Sequence, residues 1–258
     1  MFLANAKVDS VTQIGTNVFL LKLQSEKIAK NAKPGQFVNI KVSKSSFPLL
    51  RRPFSICDVE EDYFTIMFTT IGEGTAALRQ KQKGESVDVM GPLGNGFSLG
   101  GNYEKAVIVA GGIGAAPFPF LINELEKMGK EIFSFSGGRT KNDCITYEMK
   151  NVSSATDDGS FGFKGNVVEL LSSKIDPPEA GKNNKIKIFG CGPKAMLKSL
   201  QQFCLENNIE AEISTESSMA CGFGICQGCP VESATDKNKF LLVCKDGPVF
   251  NVKDIELS

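Results

Sequence analysis

The sequence predicts an α+β multidomain chain: an N-terminal antiparallel β sandwich or barrel, a central α/β domain on a parallel sheet, and a C-terminal segment organised by cysteines. Three observations predict it. From residue 5 to about 97 the apolar residues alternate or run in short β-branched stretches broken by Gly, Pro and charge. From about residue 105, apolar strand runs alternate with stretches of helical spacing. After about residue 211 that rhythm stops, and "SSMACGFGICQGCPV" puts three cysteines into nine positions, with a fourth at Cys244. At 258 residues the chain is long enough for two domains and a small appendage, expected at 1–100, 101–210 and 211–258.

In the first segment, "NVFLLKL", "QFVNIKV", "YFTIMFTTI" and "ESVDVMGP" read as short strands at the spacing of an antiparallel architecture. "LLRRPFSICD" sets Arg51 and Arg52 before Pro53, Phe54 and Ser55 at the start of another strand. A cation, a rigid turn, a ring and a hydroxyl in that order suit a phosphate and a stacked ring, although an ordinary turn with solvated arginines reads the same way. "IGEGTAALRQ" is a glycine turn opening a short helix at Thr75, a place where backbone N–H groups can receive phosphate. The run "GPLGNGFSLGGN", residues 91–102, reads as the connector to the second segment.

There, "KAVIVAGG", "EIFSFSGG" and "KIKIFGCG" are strands, while "APFPFLINELEKMG", "GNVVELLSSKI" and "PKAMLKSLQQFCLENN" are helices. Such alternation makes a parallel sheet covered on both faces. "VIVAGGIGAAPFPFL" is strand, glycine turn and helix, the geometry that presents backbone amides to a pyrophosphate. It is not G-x-G-x-x-G, and "SFSGGRT" stands where an acidic residue would end the next strand. "FGCGPKAM" repeats the strand-to-helix turn, so residues 190–193 belong at the same sheet edge, with Cys191 facing either a ligand or the core.

Cys221, Cys226 and Cys229 have the C-x4-C-x2-C spacing of a plant-type [2Fe-2S] ligand run, with Cys244 as the distant fourth. Gly222, Gly224 and Gly228 between them suit a loop that wraps closely around a cluster. A four-cysteine zinc site or two disulfides would use the same count. Zinc ribbons usually bring two C-x2-C knuckles, and here Cys226 and Cys229 are the one close pair. Cys57, Cys144 and Cys204 lack this spacing and read as small buried apolar residues.

Absences narrow the chemistry further. There is no histidine, which excludes Ser-His and Cys-His catalysis, His-ligated zinc and Rieske-type clusters. Lys plus Arg and Asp plus Glu both total 29, so no charge excess favours nucleic acid or an anionic membrane. The start, "MFLANAKVDSVTQIG", has no secretory pattern, and glycines and prolines interrupt the longest uncharged run. The expected compartment is the reducing cytoplasm.

Together "RRPFS", "GEGT", "MGPLGNGF", "AGGIGAAP", "GCGP" and "ESSMACGFGICQGCPV…VCKDGPVF", in this order, resemble the electron-transfer subunit of class 1B (NAD-dependent) dihydroorotate dehydrogenase, within the ferredoxin-NADP reductase superfamily. The resemblance spans essentially the whole chain. It implies an FAD-binding β-barrel, an NAD-binding α/β domain and a [2Fe-2S] segment. Arg52 would meet the FAD pyrophosphate, Pro53 and Phe54 would line the flavin, and Ser55 would lie near its N5. Met67, Phe68 and Thr69 would run beside the isoalloxazine or the adenosine part, and Gly74 and Thr75 would hold phosphate. Gly112, Gly114, Gly190 and Gly192 would receive NADH, bringing Cys191 to the nicotinamide, so that Ser55 and Cys191 are the expected catalytic pair. Cys221, Cys226, Cys229 and Cys244 would ligate the cluster.

One departure is Phe54, where the superfamily often has tyrosine. Arg139 could suit a 2′-phosphate, whereas the resemblance favours NADH. It also implies an FMN-containing dihydroorotate dehydrogenase catalytic subunit as partner, in a heterotetramer of two plus two chains acting in pyrimidine (UMP) biosynthesis, with no dihydroorotate site on this chain. Met219, Phe223 and Ile225 are expected at an interface. The alternatives are a flavin and iron–sulfur subunit of a hydrogenase or transhydrogenase and, from another class, a zinc-stabilised binding module.

Overall fold

Period-two patterning with no spare edge is the signature of closure, and the N-terminal strands close. A computed structural model describes residues 1–43, 48–175 and 185–257. Its first strands are β1 (Phe2–Gly15), β2 (Val18–Gln24), β3 (Phe37–Lys41), β4 (Arg52–Glu60), β5 (Tyr63–Thr69) and β6 (Ser86–Leu93), with short helices α1 (Glu26–Ala29) and α2 (Glu73–Arg79). They form a closed antiparallel barrel in the order β1-β2-β5-β4-β3-β6, so the choice between sandwich and barrel falls to the barrel. Leu21, Leu23, Val38, Ile40, Ile56 and Ile66 fill its interior.

The strand-rich first segment starts at Phe2, and the glycine-rich run after it is shorter than its composition suggests. Gly91 to Leu93 complete β6, and the connector proper begins at Gly94.

The second sheet is β10-β9-β8-β7-β11-β12-β15, made of β7 (Lys105–Gly111), β8 (Glu131–Gly138), β9 (Val152–Thr156), β10 (Phe163–Lys164), β11 (Ile186–Cys191), β12 (Glu210–Ser214) and β15 (Val249–Asn251). All neighbours are parallel except β12 and β15. Helices α3 (Phe118–Lys127), α4 (Val167–Lys174) and α5 (Lys194–Glu206) cover it. The strand order reverses between β7 and β11, and ligands of open parallel sheets collect outside the carboxyl ends at such a reversal.

Residues after 214 build a small sheet, β14-β13-β16, from β13 (Pro230–Ser233), β14 (Phe240–Leu242) and β16 (Ile255–Glu256). The tail is also woven into the larger sheet through β15, and the Gln201 side chain on α5 donates to Val252 O and Ile255 O, both at 2.7 Å.

The connector is locked by a buried charge. Lys187 on β11 is 1% exposed and reaches Ser98 O at 2.9 Å, Glu212 Oε1 at 3.0 Å and Glu210 Oε1 at 3.0 Å. Glu212 in turn accepts the Ser98 N–H at 2.8 Å. An ammonium removed from water this far needs its partners, and so do the carboxylates. Lys187→Met therefore strands Glu212 and is expected to cost about 3–5 kcal/mol in a denaturant titration of the chain. Glu210→Gln, on the half-exposed partner, should cost under about 1 kcal/mol.

Candidate functional site

A cleft of about 880 Å³ lies at the reversal between β7 and β11. The turn after β7 enters a short 3₁₀ segment, Gly112–Ala115, and Pro117 caps α3, so the glycines rather than α3 itself meet the cleft. Gly112 and Gly114 form one wall, and Gly192 with the first residues of α5 forms the other. A Cβ at Gly114 would strike the Cys191 carbonyl, which explains the missing side chain where the turn crosses the end of β11. Gly190 does not line the cleft: its Cα faces Leu200 and Ile213, so it is a packing glycine beneath α5.

Cys191 is 4% exposed and joins the apolar cluster that includes Met67, Cys57, Ala110 and Phe189. Burial, with the Glu216 carboxylate beside it, pushes the thiol up to about 12. The group expected at the nicotinamide is thus a neutral thiol sealed into the interface between barrel and sheet, one residue from the cleft wall. Glu216 itself opens onto the cleft, and the surrounding protein raises its carboxyl above the ordinary range. At the other end, Arg139 Nε is 3.7 Å from Asp143 Oδ2, and Asp157 at the end of β9 also lines the cavity.

The flavin-strand residues divide by face. Phe54 packs against Phe68 with ring centroids 6.1 Å apart; Phe68 is buried in the barrel interior, and Phe54 is half-buried against the same cluster. Met67 belongs to the cluster outside the barrel, so the alternation of β4 and β5 leaves Pro53, Ser55, Met67 and Thr69 on the outer face. Phe54 therefore braces the flavin strand from the barrel side.

The two arginines also separate. Arg51 Nη2 is 2.8 Å from Asp88 Oδ2 and Nη1 donates to Asp88 O at 3.1 Å, a structural tie between β4 and β6. Arg52 turns back to Leu50 O at 2.9 Å and makes no ion pair among the described residues, which leaves guanidinium donors for an anion. The turn before α2 packs beside it, because Gly74 lies against Val42, two residues past the Ile40 that pairs with Arg52. Thr75 Oγ1 accepts N–H bonds from Ile71 at 3.0 Å and Gly72 at 3.2 Å and donates to Gly72 O at 3.0 Å. Its hydroxyl closes the turn, and the turn offers an anion its first-turn N–H groups.

The four clustered cysteines come as two pairs, and all eight in the chain are free thiols. Cys229 Sγ lies 3.2 Å from Cys244 Sγ, buried against Phe37 and Leu93 of the barrel. Cys221 is half-buried and Cys226 exposed, with the Cys226 N–H donating to Cys221 Sγ at 3.4 Å. Desolvation would push the Cys221 thiol up, but N–H donation from Cys226, Phe223 and Ile225 outweighs it and brings the thiol down to about 6. Burial and the neighbouring Cys229 push Cys244 up to about 12.

Among the described residues no three His, Cys, Asp or Glu side chains are gathered for a single metal ion. Two thiol pairs instead suit two irons that take two thiolates each, so the donor set fits a [2Fe-2S] centre. Gly222 and Gly224 hold φ at +79° and +90°, where a side chain would be strained. Asn39 Nδ2 donates to Cys221 O at 3.3 Å, and Asn95 Nδ2 donates to Asp246 O at 2.8 Å beyond Cys244. Ile225 is 75% exposed, Phe223 is partly so, and Met219 packs against the core.

The sequence reading did not pick out Asn39, Asp157 or Glu216. Asn39 had a signal, a polar residue inside the apolar run "QFVNIKV". Asp157 and Glu216 follow strands whose carboxyl ends only the assembled sheet brings together.

A barrel with a phosphate-ready strand, a nucleotide cleft at a parallel-sheet reversal and a two-pair thiol segment define a flavin- and pyridine-nucleotide-linked reductase fold with an iron–sulfur segment. Residues 216–256 match the iron-sulfur cluster binding domain of dihydroorotate dehydrogenase B. The chain is 36% identical over 256 residues, 95% of each chain, to the dihydroorotate dehydrogenase B (NAD(+)) electron transfer subunit of Desulforamulus reducens. It is 38% identical to that of Lysinibacillus sphaericus, again over 95% of each.

Among solved structures, an NADH-dependent reduced ferredoxin-NADP oxidoreductase superposes with a TM-score of 0.84 at 27% identity, covering 98% of this chain and 90% of the other. Phthalate dioxygenase reductase shares the fold at a TM-score of 0.64 and 18% identity, over 84% and 70%. The chain belongs to the family of dihydroorotate dehydrogenase B (NAD(+)) electron transfer subunits.

Two outcomes follow from the geometry. Arg52→Ala should weaken retention of FAD by about 1.5–3 kcal/mol, the range for hydrogen bonds to a charged group, read by flavin release on dilution. In the iron-stripped chain, brief iodoacetamide treatment should label Cys226 and leave the buried Cys57, Cys191 and Cys204 untouched, as mapped by mass spectrometry.

Proposed function

We propose that the chain passes electrons between NAD(H), FAD, a [2Fe-2S] cluster and an FMN-containing dihydroorotate dehydrogenase catalytic subunit, which oxidises dihydroorotate to orotate while NAD⁺ becomes NADH in pyrimidine biosynthesis. The observation that carries this reading is the order of sites around the barrel: nucleotide cleft and flavin strand on one side, thiol pairs on the other, all packed into continuous cores. When bound, FAD would supply both hydride exchange with the nicotinamide and single-electron exchange with the cluster, which carries one electron at a time.

The chain's own residues bind and orient. Gly112, Gly114 and Gly192 let the dinucleotide approach the backbone, Arg52 and the 72–75 turn take FAD phosphates, and Ser55 stands on the outer face where flavin and nicotinamide would meet. Cys191, held neutral, supplies an apolar wall that excludes water behind them. The Cys229–Cys244 pair faces inward to the barrel and the Cys221–Cys226 pair outward, so electrons from the catalytic subunit would arrive near Phe223 and Ile225 and pass on toward the flavin strand beside β3. That outer edge is where the catalytic subunit docks, in a two-plus-two heterotetramer. No helix is long and apolar enough to cross a membrane among the described residues, and free cysteines suit work in the cytoplasm.

Arg139 pairs with Asp143, and Asp157 lines the same end of the cleft, so the two carboxylates oppose a 2′-phosphate beside Arg139 and favour NADH. Replacing both aspartates by asparagine should narrow the NADH over NADPH preference about tenfold, or about 1.4 kcal/mol.

The deciding experiment is anaerobic: the chain is purified with its co-purifying partner, dihydroorotate is added, and NAD⁺ reduction is followed at the nicotinamide band. Activity that needs the second polypeptide and disappears with Cys226→Ser supports the assignment. Bleaching of flavin and cluster by NADH without any response to dihydroorotate would keep the redox core and overturn the partner.

A further inference from the structure

Strand β3 separates the flavin strand from the thiols, and its outer face carries Phe37 and Asn39. Phe37 pairs with Ser55 and Asn39 with Pro53 across the β3–β4 ladder, so each stands directly beside a flavin-face residue. On their other side both meet the cysteine segment: Phe37 shares a core with Cys229 and Cys244, and the Asn39 amide reaches Cys221 O at 3.3 Å.

Asn39 is an odd choice for this position. It is 1% exposed, and among the described residues its Oδ1 has no partner, so the side chain carries part of the cost of an unsatisfied buried polar group. A leucine of similar size would avoid that cost. The β3–β6 register slips between Phe37 and Asn39, the kind of bulge that re-aims a side chain. Opposite it sits Gly222 at φ +79°, where a Cβ would land on the Asn39 amide nitrogen. Amide and glycine thus fit each other across the barrel–tail junction.

We propose that Asn39 is a positioning residue for the iron–sulfur centre: the hydrogen bond its amide donates to Cys221 O, made possible by the bare Cα of Gly222, locks the first ligand loop to the strand beside the flavin face. This rests on the functional reading above. The lock fixes where Cys221 and the N–H donors around it stand relative to β4, and N–H donation to cysteine sulfur tunes such a centre.

The test uses the full chain isolated anaerobically with its cofactors, and compares Asn39→Leu, Asn39→Asp, Asn39→Ala, Gly222→Ala and Asn39→Ala/Gly222→Ala with the parent. The readouts are iron loss to a chelator, the electron paramagnetic resonance spectrum of the reduced cluster, and thermal stability. Asn39→Leu should lose iron about tenfold faster, the scale of outer-shell changes, with an altered spectrum and an unchanged or raised melting temperature. Asn39→Asp keeps the shape but cannot donate, and should resemble Asn39→Leu in iron loss. Gly222→Ala should harm iron retention more in the parent than in the Asn39→Ala background, because the small side chain leaves room for the new methyl group.

The lock is overturned if Asn39→Leu keeps normal iron retention and spectrum, if iron loss merely tracks melting temperature across the set, or if the Asn39 and Gly222 effects add independently. A parent chain that holds no iron at all would instead sink the functional reading.

Discussion

Burial of Phe37 and Leu93, two barrel side chains that point away from the barrel, is the constraint on which the rest of the molecule depends. They share one apolar core with Val107, Ile188 and Ile213 of the parallel sheet and with Cys229, Leu242 and Cys244 of the tail. None of the three segments completes this core alone, so each fixes the others. An interior packed at near-crystalline density moves as a body, and that rigidity holds a nucleotide cleft, a flavin strand and a thiol segment in constant relation.

The polar contacts sharpen what the apolar core begins. Lys187 ties the connector to β11 and β12, Gln201 ties the tail to α5, and Asn39 and Asn95 tie the two ends of the cysteine segment to the barrel side. Each donor is a side chain that reaches at least one backbone carbonyl, which fixes irregular chain that has no ladder of its own. The cysteine segment needs this most, because its loop is shaped by positive-φ glycines rather than by regular structure.

Burial sets the spatial order of the thiols. The inner thiol pair lies against the barrel and the outer pair reaches the surface, while Cys191 is sealed at the opposite junction. A chain without histidine can work this way because its task is to hold carriers at set positions, and the carriers bring their own reactivity.

The sequence alone determined the segment types, the glycine turns and the spacing of the four clustered cysteines, because these depend on local period, on φ and on spacing along one stretch of chain. The family resemblance added Arg52 to Ser55 and Met67 to Thr69 as a group. Only the tertiary structure divided that group, sending Phe54 and Phe68 to the barrel side and leaving Ser55 and Met67 outside, since a strand's two faces are told apart by what packs on them. The same holds for Arg51, taken by Asp88, for Gly190, buried under Leu200, and for Cys191, turned into the core rather than the cleft. Asn39 is the plainest case: its neighbour is Cys221, 182 residues away, and no local rule reaches that far.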